Sequence, residues 1–351
     1  MARRKILLVS NMYPSERDPI FGAFVVNIEE GLKSSGGDVE KIVIKGRARN
    51  LVSKIAAYLR FYFRIFKTDL NAFDFVHISY PSHSFLPFFF KRRGKAKIIV
   101  RLHGHDLVPE KEETFFFRIF RRITLAACGR ADLVVVPSAF FEKELSKCIE
   151  VNRVYTYPSG GIDSQRFFPE DRKNEDFTIG YVGRIDQMKG VPVLLKALSE
   201  LDIPFKAILV GAGPFMEESE ALLKRYNLSS RCILVGAIPN KELPEYYNSF
   251  DVLVFPTLYQ ESFGNVAIEA MACGKPVIAS RSGAIPDYVS HRFNGYLFEP
   301  GNDEELARLL KEYHSLAVEE KKALSSNARN VALKYDRTNL SNAFYEFLLG
   351  L

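Results

Sequence analysis

Short runs of apolar, mostly β-branched residues recur along the chain, separated by longer stretches whose apolar positions return every three or four residues. The first set is KILLVS (5–10), KIVIK (41–45), FVHIS (75–79), KIIVRLHG (97–104) and DLVVVP (132–137). Near-continuous apolar runs fit strands covered on both faces, and their alternation with helical stretches fits parallel βαβ units. The pattern restarts with FTIGYVG (177–183), FKAILVG (205–211), CILVG (232–236), DVLVFP (251–256) and KPVIAS (275–280). The fold class is therefore α/β, with two doubly wound Rossmann-like domains facing across a cleft. The segment FFPEDRKNED (167–176) breaks both periodicities, which sets the domains at 1–166 and 167–335. A last helical stretch, 336–351, is expected to pack back on the first domain.

Length and composition leave this picture intact. The chain has 351 residues, 47% hydrophobic and 26% charged, an ordinary globular balance that argues against disorder. No run approaches the roughly 20 apolar residues of a membrane span, since even FLPFFF (85–90) ends in Lys91, Arg92 and Arg93. The basic start has about four apolar residues where a signal peptide needs roughly 7 to 15, and reads as a first strand. Cys128, Cys148, Cys232 and Cys273 offer no close-spaced metal pair and no dense disulfide framework, which fits a reducing, cytoplasmic setting.

Charge is distributed unevenly. Residues 1–165 hold 27 Lys and Arg against 17 Asp and Glu, whereas the remainder holds 21 against 25. A basic first half points to a polyanionic partner, either nucleic acid or an anionic membrane surface. No nucleic-acid motif accompanies the charge, so a membrane is favoured.

In open parallel sheets, ligands sit beyond the carboxyl ends of the strands. The loops to read are therefore Asn11–Gly22, His103–Asp106, Ser138, Gly183–Lys189, Gly211–Pro214 and Glu261–Glu269. The most informative is ESFGNVAIEAMACGKPVIAS (261–280), which joins a strand to a helix opening near Gly264. Backbone N–H groups of Ser262, Phe263, Gly264 and Asn265 would make a phosphate cradle at that helix N-terminus. Glu269, within the second turn, could accept hydrogen bonds from a ribose diol, and Glu261 could meet a sugar hydroxyl. Either glutamate alone would more often be a solvated or capping carboxylate.

The surrounding pattern changes that balance. Glu261 and Glu269 in this setting resemble the Glu-x7-Glu motif of the retaining glycosyltransferase family 4, which has the two-Rossmann GT-B fold. GYVGRIDQMKG (180–190), LVGAGP (209–214), IPNKELPEYYNSFDVLVFP (238–256), SGAIPDYV and NGYLF within 282–298, YPSERDPIFGAFVVNIEEGLKSSG (13–36) and LHGHD (102–106) follow in the family's order. The resemblance implies a sugar transferred from a nucleoside diphosphate to a hydroxyl acceptor. It assigns Gly183, Arg184 and Lys189 to the donor diphosphate, and fixed cations there would lower the barrier by meeting charge that develops on the leaving phosphate. It places His103 and Glu261 at the transferred sugar and Gly22 in the first donor loop, with His105 unassigned. The first domain becomes the acceptor side and the second the donor side.

Two positions depart from the family's pattern: Pro158-Ser159-Gly160-Gly161-Ile162-Asp163 replaces Pro-Asn-Gly-Val-Asp, and Gly283-Ala284 replaces Gly-Gly. No two aspartates lie two positions apart, so no Asp-x-Asp pair is available to hold a divalent ion on the diphosphate. The expectation is chemistry without a metal or cofactor. A nucleotide-sugar epimerase or sugar phosphorylase on the same fold, and a non-enzymatic basic membrane-binding protein, remain alternatives.

The acceptor carries a further expectation. LVSKIAAYLRFYFRIFK (51–67), FLPFFFKRRGKAK (85–97) and FFFRIFRRITL (115–125) combine aromatic residues with cations in the manner of segments that lie in a headgroup layer. That reading makes the protein peripheral on the cytoplasmic membrane face, with a lipid-linked acceptor. The alternative packs the aromatic faces on the first sheet and leaves the arginines solvated.

Overall fold

The computed structural model describes residues 3–18, 21–109, 113–158, 161–171 and 176–351. Ser159 and Gly160 of the departing motif, and 172–175 of the presumed join, lie outside them. The chain forms two compact units, 1–161 with 337–351, and 162–336.

The first unit contains β1 (Lys5–Tyr13), α1 (Ala23–Ser34), β2 (Asp38–Lys45), α2 (Leu51–Lys67), β3 (Phe75–Ser79), α3 (Pro81–Ser84), β4 (Lys97–Arg101), α4 (Phe115–Cys128), β5 (Leu133–Val136), α5 (Ala139–Ser146) and β6 (Val154–Thr156). The strands pair in the order β2-β1-β3-β4-β5-β6, all parallel. Successive side chains point to opposite faces, so both faces of this apolar sheet must be covered. Leu7, Val9, Val76, Val100 and Val134 meet Phe61 and Ile65 of α2, Ala127 and Cys128 of α4, and Phe141 of α5. Ile6, Phe75, Ile99 and Leu133 meet Ile28 and Leu32 of α1 on the other face.

In the second unit come β7 (Thr178–Val182), α6 (Val191–Ser199), β8 (Lys206–Val210), α7 (Met216–Arg225), β9 (Cys232–Gly236), α8 (Leu243–Asn248), β10 (Val252–Phe255), α9 (Asn265–Ala272), β11 (Val277–Ser280), β12 (Gly295–Phe298), α10 (Asp303–Ser315) and α11 (Val318–Leu333). The strands again form one parallel sheet, ordered β12-β11-β10-β7-β8-β9. Leu194 and Leu198 of α6 and Leu306 and Leu310 of α10 cover one face, while Ala267, Ile268 and Met271 of α9 cover the other.

The final helix, α12 (Arg337–Leu349), belongs to the first unit. Phe344 stacks on Tyr157 with ring centroids 4.9 Å apart, and Ser341 Oγ lies 2.9 Å from the Tyr157 hydroxyl. The join falls between Gly161 and Ile162, ahead of the boundary at 166/167 read from the sequence. Ile162 N–H donates to the carbonyl of Tyr335 at 2.9 Å, and Phe167 is buried in the second core, which ties this segment to the second unit.

Candidate active site

β7, β10 and β11 are neighbours in the second sheet, so the loops leaving their carboxyl ends lie side by side. After β7 the chain turns through Gly183 and Arg184 into a single 3-10 turn, Gln187–Lys189, capped by Asp186, whose Oδ1 accepts the Met188 N–H at 2.8 Å. After β10, buried Thr257 accepts the Tyr259 N–H at 3.2 Å and donates its hydroxyl to Glu261 Oε1 at 2.9 Å. The two loops are stitched by Leu258 N–H, which donates to the Met188 carbonyl at 2.9 Å. The loop after β11 braces them: Ala284 N–H donates to the Glu261 carbonyl at 2.9 Å, and Ser282 Oγ donates to that of Tyr259 at 2.6 Å.

This framework brings Lys189 and Glu261 together. Lys189 Nζ is 2.6 Å from Glu261 Oε1, with side chains 25% and 12% exposed, so the pair is largely but not wholly shielded from solvent. The same ammonium lies 5.1 Å from the centre of the Tyr259 ring. Arg184 is 52% exposed, with Nη2 at 3.3 Å from Asp186 and 3.4 Å from the Tyr259 hydroxyl. Two cations, two carboxylates and a buried tyrosine thus share one edge of the sheet.

Gly264 caps α9 with φ of 87°, in the left-handed region that glycine adopts without steric cost. A Cβ there would stand 2.7 Å from the Tyr288 hydroxyl and 2.8 Å from the Phe255 ring, so only a glycine fits. That hydroxyl is itself buried with no hydrogen-bond partner among the described residues, and burial raises its pKa well above 10.0. The Phe263 side chain is 2% exposed and belongs to the core of the second unit. Asn265 is exposed, and Ser262 is half-buried. Glu269, on α9, accepts at Oε2 from the Tyr247 hydroxyl of α8 at 2.8 Å.

His103 and Gly22 stand in the first unit. His103 leaves β4 stacked on Tyr80, centroids 4.5 Å apart, with Phe24 at 4.6 Å on another side. Burial, reinforced by the nearby Arg101 cation, holds its imidazole well below 6.5, and its Nε2 is buried without a partner among the described residues. Its backbone N–H donates to Asp106 Oδ2 at 2.9 Å. Burial pushes that carboxyl up to about 7, opposed by this hydrogen bond and one from Ser82. Gly22 has φ of 74°, and a Cβ there would meet the Met12 carbonyl carbon at 2.7 Å, so its glycine is required by its packing on the end of β1.

Sequence reasoning passed over Thr257 and Tyr259, although both lie between a strand end and Glu261, where the carboxyl-edge rule looks for ligands. Asp106 was read only as the end of a motif. Among the described residues no cluster of His, Cys, Asp or Glu has the arrangement of a metal site.

The comparisons with known proteins concern the family and the fold. The family model described as Glycosyltransferase Family 4 matches residues 28–166, and that described as Glycosyl transferases group 1 matches 163–331. An uncharacterized glycosyltransferase of Methanocaldococcus jannaschii is 29% identical over 68% of this chain and 64% of its own. A GDP-mannose-dependent alpha-(1-6)-phosphatidylinositol monomannoside mannosyltransferase of Mycolicibacterium smegmatis is 28% identical over 57% of this chain and 56% of its own. The matched regions thus span less than two thirds of either relative. Among solved structures, the sucrose-phosphate synthase of Thermosynechococcus elongatus superposes with a TM-score of 0.81 at 21% identity, covering 99% of this chain and all of that one, which supports the GT-B fold. The chain belongs to the glycosyltransferases built from a family 4-type first half and a group 1 second half.

Proposed function

We propose that the protein is a retaining glycosyltransferase that moves a sugar from a nucleoside diphosphate donor to a hydroxyl acceptor presented at an anionic membrane surface. The observation that carries the donor assignment is Lys189 paired with Glu261 beside Arg184, on loops that leave adjacent strands of the group 1 half. Cleavage of the anomeric bond builds negative charge on the departing diphosphate. Arg184 meets its oxygens with a fork of donors, Lys189 with a point charge, and the first turn of α9 with unpaired N–H groups. These fixed charges make a divalent ion unnecessary in this account. Glu269 takes the ribose and Glu261 the hydroxyls of the transferred sugar. His103, kept neutral by burial, offers Nε2 to the sugar without adding positive charge where the anomeric carbon becomes electron-poor.

Surface chemistry of the first unit supports the membrane assignment. On α2, Leu51, Ile55, Leu59 and Phe63 repeat every four residues and are all more than half exposed, as is Val52. Exposed Arg60, Arg64 and Lys67 flank this row. Phe115 and Phe116 open α4 at 68% and 69% exposure, with Arg118 beside them. The two helices are linked through His83, which stacks on Phe120 of α4 at 4.5 Å and whose carbonyl accepts from the Tyr62 hydroxyl of α2 at 2.9 Å. An outward apolar row bordered by cations fits the boundary between headgroups and acyl chains. No helix among the described residues is long and apolar enough to cross a membrane. The Mycolicibacterium relative is named for a phosphatidylinositol-based acceptor, which favours an acceptor of the same class.

A screen of nucleotide sugars by thermal shift, followed by product analysis with lipid acceptors in the presence and absence of EDTA, tests the reading. One donor should raise the melting temperature, and transfer with retained anomeric configuration should survive the chelator. Conversion of donor without acceptor would instead identify an epimerase, and a loss restored only by magnesium or manganese would overturn the metal-free account.

A further inference from the structure

A cavity of about 550 Å³ opens in the first unit, at the edge of the sheet opposite to the loops described above. Lys97 begins β4, and Arg130 with Asp132 and then Arg153 immediately precede β5 and β6, so the cavity belongs to the amino ends of these strands. Lys91 and Arg93 complete its rim, giving five cationic side chains around one carboxylate side chain, Asp132, with Leu351 also in the lining.

That carboxylate is already committed. Asp132 pairs with Arg93 and also accepts the Ile98 N–H at 2.7 Å. Lys91 spends one donor on the Phe66 carbonyl at 2.7 Å and keeps the others. Lys97, Arg130 and Arg153 form no ion pair among the described residues. Arg130 is fixed in place by the Phe89 ring, 4.7 Å from its guanidinium. Like charges gathered in a concavity repel one another and focus a positive potential, more strongly where the wall is apolar. Here the wall includes Phe85 and Phe88, 2% and 9% exposed.

We infer that this cavity binds a phosphate group at a site separate from the donor diphosphate. The guanidinium forks of Arg130 and Arg153 match phosphate oxygens, and Lys97 adds a point charge. The phenylalanine wall would suit the acyl part of a phospholipid. The phosphate could be supplied by a phospholipid headgroup or by a free phosphate, and these sources separate by experiment. The inference does not depend on membrane docking through α2 and α4.

The test is calorimetric titration of the full chain with inorganic phosphate and with soluble dihexanoyl phosphatidic acid. It is done in an Arg184→Ala/Lys189→Ala background so that the proposed donor site does not contribute. One site is expected, and Lys97→Glu with Arg153→Glu should weaken it by about tenfold or more. Lys97→Gln with Arg153→Gln replaces that variant if melting curves show that charge reversal prevents folding. Tighter binding of the phosphatidic acid assigns a lipid headgroup, and equal affinity assigns a free phosphate. Absence of binding by both probes, or affinity unchanged in a folded cavity variant, overturns the inference.

Discussion

Lys189 Nζ and Glu261 Oε1 stand 2.6 Å apart, joining the loop that leaves β7 to the loop that leaves β10. The Thr257 hydroxyl shares the same carboxylate oxygen at 2.9 Å, so Glu261 is oriented from two directions before any ligand arrives. Removing the cation leaves a mostly buried carboxylate with one neutral donor. Lys189→Met should therefore cost about 1–3 kcal/mol of stability, and a double-mutant cycle with Glu261→Gln should return a coupling on the order of 1 kcal/mol. Denaturant unfolding measures both, and additive effects would show that the contact contributes nothing to the fold.

Glu269 offers a second probe of donor binding. Glu269→Gln keeps an oxygen for the Tyr247 hydroxyl while removing the negative charge. Hydrogen bonds to a charged acceptor are worth roughly 1.5–3 kcal/mol, so donor affinity should fall by about tenfold or more with little change in melting temperature. Calorimetric titration with the donor checks this, and unchanged affinity removes Glu269 from the ribose site.

Asp106 predicts a pH dependence. Its carboxyl is raised from 3.8 to about 7 in the fold, chiefly by burial. Between about pH 4 and pH 7 the unfolded chain has lost this proton and the folded chain keeps it, so the stability associated with Asp106 declines across that window and is level above it. His103, held below 6.5, acts in the opposite sense, because only the unfolded imidazole gains a proton as pH falls. Comparing wild type with Asp106→Asn separates the two. The variant should gain on wild type as pH rises through the window, and a constant difference in unfolding free energy would contradict the burial argument.

The α2 surface predicts salt-sensitive adsorption to vesicles. Wild type should co-sediment with phosphatidylglycerol vesicles at low salt and less at high salt, whereas Arg60→Glu with Arg64→Glu should remain in the supernatant. Failure of wild type to bind at low salt would make a soluble acceptor the better account.

The long parallel core was legible because its strands are continuous apolar runs that helices must cover. β6 and β12, both edge strands, were not expected: Val154–Thr156 has only three residues, and Gly295–Phe298 opens on glycine and holds no β-branched residue. Lys189 and Glu261 were legible through charge, loop position and resemblance. Thr257 and Tyr259 carry no charge, and their roles arise only where tertiary pairing sets the β7 and β10 loops together. In α2, the sequence reading treated LVSKIAAYLRFYFRIFK (51–67) as one stretch of aromatic residues and cations. The sheet divides it, burying Phe61 with Ile65 and leaving Phe63 and Phe66 at 58% and 46% exposure. In the basic segment that follows, Phe85 and Phe88 turn inward while Phe90 is 83% exposed.

The central claim, that the second unit grips a nucleoside diphosphate through Arg184 and Lys189, is tested most directly by calorimetric titration of the full chain with a panel of nucleoside diphosphates. The comparison is between wild type and Arg184→Ala/Lys189→Ala. At least one diphosphate should bind wild type at a single site, with affinity lower in the double variant by about tenfold or more, the loss expected for charge-assisted contacts to phosphate. Equal affinity in the two proteins, or no binding of any nucleoside diphosphate to folded wild type, would contradict the account.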